Sequence, residues 1–228
     1  TQDRINNSDV LIKNYTMWPI HLLQNEDFKH WSAMYKGICR FEKMHPAPDV
    51  VNAFDSNAPA NPDTARNRYV WSRCLTHMRE VMIAECDFRV CAGGKTTKYI
   101  GCMPGVLEEI HIAVNQNKPL YLLGGFGGVT SKVCQYLQER IIPDELLLDW
   151  QKKNNDYYSD LLLEYSKQNN DINYSWLNEF TIDDLHNGLS KEDNLRLFAT
   201  PFVDEVIHLI TKGIKSLRNN NQNLSDMM

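Results

Sequence analysis

Apolar and polar positions alternate along the chain in two periods. Val10-Leu-Ile-Lys-Asn-Tyr15 reads as a short strand, Trp18-Pro19 marks a turn, and Phe28 to Phe41 has helical spacing. Asp49-Val-Val-Asn-Ala-Phe54 has the apolar content of another strand, and the prolines of Ala58-Pro-Ala-Asn-Pro62 exclude regular structure there. From Thr64 to Glu85, Val70, Cys74, Met78, Val81 and Met82 recur on one helical face. Then the pattern repeats. Phe88 to Ala92 reads as a buried strand, Gly105 to Gln116 as a helix starting at Pro104, Pro119 to Leu123 as a second buried strand, and Val129 to Arg140 as a helix. Glu145 to Lys167 and Phe202 to Leu217 are helical, with Val203, Val206, Ile207, Ile210 and Ile214 on one face of the latter.

Helix–strand–helix–strand–helix order predicts an α/β fold: a Rossmann-like parallel sheet flanked by helices, with a helical C-terminal part. The expected organisation is a single nucleotide-binding domain over 1–218 and a polar, frayed tail over 219–228. Length and composition agree with a globular protein: 228 residues, 43% hydrophobic and 23% charged. A net charge of −5 argues against broad nucleic-acid binding, and no apolar run reaches membrane-spanning length. The six cysteines form no CxxC pair and no zinc spacing with histidine, so they read as reduced core thiols of a cytoplasmic protein with no metal site.

Most of the eleven glycines fall in two clusters, each after a strand-like run and before a helix. Such turns let backbone N–H groups approach an anion, at the carboxyl ends of strands where open α/β sheets bind ligands. Gly93, Gly94, Gly124, Gly125, Gly127 and Gly128 either cradle phosphates or simply make tight turns; two clusters on neighbouring strands favour a ligand. Arg89, Lys95 and Lys98 are candidate pyrophosphate partners, Lys95 ahead of Lys98. Glu108 and Glu109 fall in the first turn of the Gly105 helix. Because adjacent helical residues diverge by about 100°, one of them is assigned to ribose hydroxyls, with Glu108 preferred; the other serves the helix dipole. The alternative for that carboxylate is to orient water for N-glycosidic cleavage. Met103 and Phe126 either flank a base or pack beneath the loops. Arg79 reads as a surface or capping cation, and Trp18-Pro19 as a core anchor ahead of a rigid wall near the cleft. His77 and His111 are isolated, and no Ser or Cys has nucleophile-elbow spacing, so no catalytic residue is assigned.

The order Arg89-Val-Cys-Ala-Gly-Gly-Lys95, Gly101-Cys-Met-Pro-Gly-Val-Leu-Glu-Glu109, Lys118-Pro-Leu-Tyr121 and Gly124-Gly-Phe-Gly-Gly128 resembles the SLOG superfamily, related to the LOG and Smf/DprA proteins. Weaker similarity lies in Tyr15-Thr-Met-Trp-Pro-Ile-His21 and Asn187-Gly-Leu-Ser-Lys-Glu-Asp-Asn194. Within it, the chain is most similar to the prokaryotic branch associated with TIR and sirtuin domains, as in the sensor of Thoeris-type anti-phage effectors. The resemblance implies a ligand-sensing domain that binds an NAD-derived, cyclic ADP-ribose-like nucleotide without a further cofactor. It also implies a homo-oligomer with a fused or associated TIR, sirtuin, protease or nuclease effector. The ligand set it implies is Arg89, Gly93, Gly94, Lys95, Met103, Pro104, Gly105, Glu108, Glu109, Gly124, Gly125, Phe126, Gly127 and Gly128. Two departures stand out. The strand–helix–strand unit with which members of the family begin has no counterpart before Val10, so the chain reads as a fragment or as lacking its first βαβ unit. The longer Pro-Gly-Gly-x-Gly-Thr-x-x-Glu signature of LOG enzymes is shortened to Pro104-Gly-Val-Leu-Glu-Glu109, which turns the balance from a LOG-type nucleotide N-glycosidase or phosphoribohydrolase toward a sensor.

Overall fold

The computed structural model describes residues 12–52 and 61–225. The chain forms two compact units, divided after Met82. The expected segments at Val10-Leu11, Ala53-Phe54 and Ala58-Pro-Ala60 lie outside the described residues.

In the first unit, β1 (Ile12–Thr16) and β2 (Cys39–Lys43) pair in parallel, from Ile12 opposite Cys39 to Thr16 opposite Lys43. Two helices, α1 (Ile20–Leu23) and α2 (Asn25–Met34), connect them. The helix expected to reach Phe41 therefore stops at Met34, and Gly37, at φ +85°, lies between it and β2. Phe28 on α2 is buried and meets the Phe41 ring edge-on at 5.2 Å. Trp18 is buried, as a core anchor requires. Asp49–Asn52 forms turns rather than the start of a strand. The long helix α3 (Ala65–Ala84) begins beside Thr64, whose hydroxyl accepts from the Asn67 amide at 3.1 Å. Tyr69, Val70 and Cys74 are its buried stripe within this unit. Arg79, expected as a surface or capping cation, is buried and so not at the surface.

The second unit contains the glycine-rich region. Its strands β3 (Arg89–Ala92) and β4 (Leu120–Leu123) are parallel and joined through α4 (Gly105–Asn115). All four β4 residues are buried, as a strand covered on both faces demands. A short 3₁₀ turn (Gly124–Phe126) leads into α5 (Gly128–Glu139). The expected Glu145–Lys167 helix is divided into α6 (Leu148–Asn154) and α7 (Tyr158–Lys167), because Tyr157 between them takes φ +64°. The chain ends in α8 (Lys191–Ala199) and α9 (Val203–Ser225), the latter continuing past Leu217. Ser190 caps α8 by accepting from the Asp193 amide at 3.1 Å.

One core cluster joins Tyr121 and Leu123 of β4 to Leu197 of α8 and Val206 and Leu209 of α9. Asn187 completes this packing. Its side-chain amide donates to the Leu120 carbonyl at 2.8 Å, and its own carbonyl accepts the Tyr121 hydroxyl at 2.8 Å. The Asn187–Asn194 segment is thus a structural clasp between β4 and the last two helices. Among the described residues no disulfide forms, and four of the six cysteines are buried. Among the described residues, no helix is long and apolar enough to cross a membrane.

Candidate functional site

The two glycine turns lie at the carboxyl ends of β3 and β4 and are bonded to each other. The Val129 amide donates to the Gly94 carbonyl at 3.0 Å, and the Thr130 amide to the Gly93 carbonyl at 2.9 Å. The Thr130 hydroxyl adds a second bond to Gly93, at 3.0 Å. This approach requires glycine at 128, which takes φ +64°: a Cβ there would lie 2.4 Å from the Gly94 carbonyl oxygen. Two early amides of α5 are therefore committed to carbonyls and do not face a phosphate.

The remaining glycines divide into interior and open positions. A Cβ at Gly94 would lie 2.7 Å from Val106. At Gly124 it would meet the Phe198 carbonyl at 2.3 Å, and at Gly125 the Thr200 carbonyl at 2.2 Å. These three glycines make room for neighbouring chain. At Gly127 a Cβ would have nothing within 4 Å, and at Gly93 only the Phe126 carbonyl oxygen at 4.0 Å. Phe126 is 45% exposed beside them, and Lys95 and Lys98 are exposed on the following loop. Met103 and Pro104 are buried. Gly105 opens α4 directly after them and is half-buried.

The charged candidates separate in the same way. Arg89 begins β3 and forms an ion pair with Glu109 of α4. Glu108 points elsewhere: it is only 2% exposed, and its carboxylate accepts from the Cys102 thiol at 3.3 Å. Burial, with the nearby Glu109 charge, pushes the Cys91 thiol up to about 12 and keeps it protonated near neutral pH. Burial raises Cys134 as well.

Beneath the loop carrying Lys95 lies a polar network absent from the sequence-based expectations. The Tyr158 hydroxyl donates to the Cys102 carbonyl and lies 3.2 Å from the Tyr174 hydroxyl. Tyr99 donates to the Gln151 side-chain carbonyl at 2.7 Å, and Asn155 donates to the same oxygen at 2.6 Å. Asn155 in turn accepts the Lys98 amide at 2.8 Å. Burial is the largest influence on Tyr99, Tyr158 and Tyr174 and raises all three, so they remain neutral hydroxyls. One signal existed in the sequence: Gln151, Asn155 and Tyr158 stand four and three residues apart, a polar stripe leading into buried Leu161 and Tyr165.

This arrangement offers an aromatic face, two open glycine backbones and exposed ammonium groups, all in the loops that follow the parallel strands. Its carboxylates are either paired or buried. A family model described as SLOG cluster2 matches residues 1–197. No curated protein and no solved structure matches the chain.

Proposed function

The chain belongs to the SLOG cluster2 family, and from that premise we propose that its second unit binds a nucleotide ligand at the tandem glycine turns without transforming it. The observation that carries this reading is the contrast among the glycines. Gly94, Gly124, Gly125 and Gly128 are filled in by neighbouring chain, whereas Gly93 and Gly127 leave space next to exposed Phe126; the Gly127 amide itself donates to the Gly124 carbonyl at 3.0 Å, so Gly127 contributes room rather than a donor. A phosphate approaches backbone closely only where no Cβ intervenes. A base or ribose stacks on an exposed ring, and Lys95 supplies charge at the same rim.

Direct contact is accordingly assigned to Gly93, Lys95, Phe126 and Gly127, with Gly105 at the start of α4. The other candidates hold these in place: Gly94, Gly124, Gly125 and Gly128 through close packing, Met103 and Pro104 beneath the loop, and Arg89 with Glu109 as a β3–α4 brace. Burial of Glu108 against Cys102 supports binding over N-glycosidic cleavage, because a carboxylate that orients water must reach it.

The finer identity comes from the family resemblance. The ligand is an NAD-derived, cyclic ADP-ribose-like nucleotide. The output is control of a bacterial anti-phage effector, such as a TIR, sirtuin, protease or nuclease domain, by differential binding to its assembly states. Titration with ADP-ribose, NAD and cyclic ADP-ribose isomers, followed by chromatography of the recovered ligand, tests binding and turnover together. Binding with intact ligand supports the sensor, and turnover abolished by Glu108→Gln would replace it with an enzyme.

A further inference from the structure

Helix α9 is packed on one side only. Val206 and Leu209 are buried in the core cluster, whereas Phe202, Val203 and Ile207 are 70%, 58% and 57% exposed. At 3.6 residues per turn, Ile207, Thr211 and Arg218 fall within a strip about 40° wide, bounded on the core side by exposed Val203 and half-buried Ile214. The charges beside that strip are ordered along the helix. Exposed Asp204 stands at its start, and exposed Lys215 and Arg218 stand toward its other end. Other charges on the helix are already used, Glu205 with Arg196 and Lys212 with Asp193. Among the described residues, Asp204, Lys215 and Arg218 have no ion-pair partner.

We propose that this face is an interface between two copies of the chain, formed by antiparallel pairing of α9 about a two-fold axis at Thr211. Sequence spacing about that axis sets Asp204 opposite Arg218 of the second copy, twice over. It sets Ile207 against the aliphatic stem of Lys215 of the second copy, which covers the exposed isoleucine while its ammonium stays in water. A parallel pairing would instead align like charges. Antiparallel α9 helices also oppose their dipoles favourably. The strip from Val203 to Arg218 is about 23 Å long and one helix wide. It is smaller than a standard interface of roughly 800 Å² per partner, so association belongs in the micromolar range.

Sedimentation velocity on the full chain without nucleotide, from low to high micromolar concentration, tests the pairing. The expected result is a concentration-dependent dimer. Asp204→Arg and Arg218→Asp should each weaken association at least about tenfold, by setting like charges opposite each other. An equimolar mixture of the two variants should recover the dimer, because each arginine then faces an aspartate. Ile207→Ser should weaken it without such recovery. Circular dichroism confirms that these exposed substitutions leave the helices intact. A monomer at every concentration, a dimer insensitive to all three substitutions, or a mixture that fails to recover would each overturn the proposal.

Discussion

The carbonyl of Gly93 accepts two hydrogen bonds from Thr130, one from its amide at 2.9 Å and one from its hydroxyl at 3.0 Å. Through this residue pair the first glycine turn is fastened to the first turn of α5. Thr130 is fully buried. Thr130→Val keeps its shape and the amide bond but removes the hydroxyl, and should cost about 1 kcal/mol of stability. Urea unfolding measures that loss, and an unchanged midpoint would show that the hydroxyl bond contributes nothing.

Gly127 and Gly128 are adjacent and both lie at positive φ, yet their substitutions should differ sharply. At Gly127 alanine meets open space, so the cost is the backbone conformation alone (φ +74°, ψ −158°, a glycine region), about 1–3 kcal/mol. At Gly128 the added methyl collides with the backbone of Gly93 and Gly94, which separates the turns. Gly128→Ala should therefore lower stability by more than Gly127→Ala and abolish nucleotide binding. Thermal unfolding of both variants checks the order, and equal losses would contradict the packing described.

Glu109 forms an ion pair with Arg89. Glu109→Gln should reduce stability by about 1.5–3 kcal/mol, the scale of a hydrogen bond to a charged group, while leaving nucleotide affinity nearly unchanged once the protein is folded. A double-mutant cycle with Arg89→Met isolates the pair. A large affinity loss in folded Glu109→Gln would return this carboxylate to the ligand.

His111 stacks on Trp176 with ring centroids 4.5 Å apart, and burial holds its pKa below the ordinary value of 6.5. The unfolded chain then takes up a proton that the folded state resists. Stability is full above pH 6.5 and is lost as pH falls below it. His111→Phe preserves a flat ring and should flatten part of this dependence. Burial lowers His21 likewise, so some dependence remains. Between neutral and acid pH the unfolding free energy should fall less for His111→Phe than for the unaltered chain; an equal fall would show that His111 does not contribute.

The strand–turn–helix order around the glycines was legible because its signals are local: apolar runs at Arg89–Ala92 and Leu120–Leu123 end in glycines, and helical spacing resumes after each. Strand β2 was not, since Ile38, Cys39 and Phe41 suit either period and only pairing with β1 decides between them. Within the site, the sequence located the glycines but could not sort them. The sorting depends on Phe198, Thr200 and Val106, which reach the turns through tertiary packing. The Tyr99–Gln151 and Tyr158–Cys102 bonds are hidden for the same reason, as each joins residues more than fifty positions apart.

Titration calorimetry of the chain against ADP-ribose, NAD and cyclic ADP-ribose isomers, repeated with Phe126→Ala, tests nucleotide binding at the glycine turns. Saturable binding of at least one of these nucleotides, recovery of that ligand intact, and an affinity loss of about 1–3 kcal/mol when the stacking ring is removed are the expected results. No binding by the folded chain to any of these nucleotides, or binding indifferent to Phe126, would contradict binding at the turns.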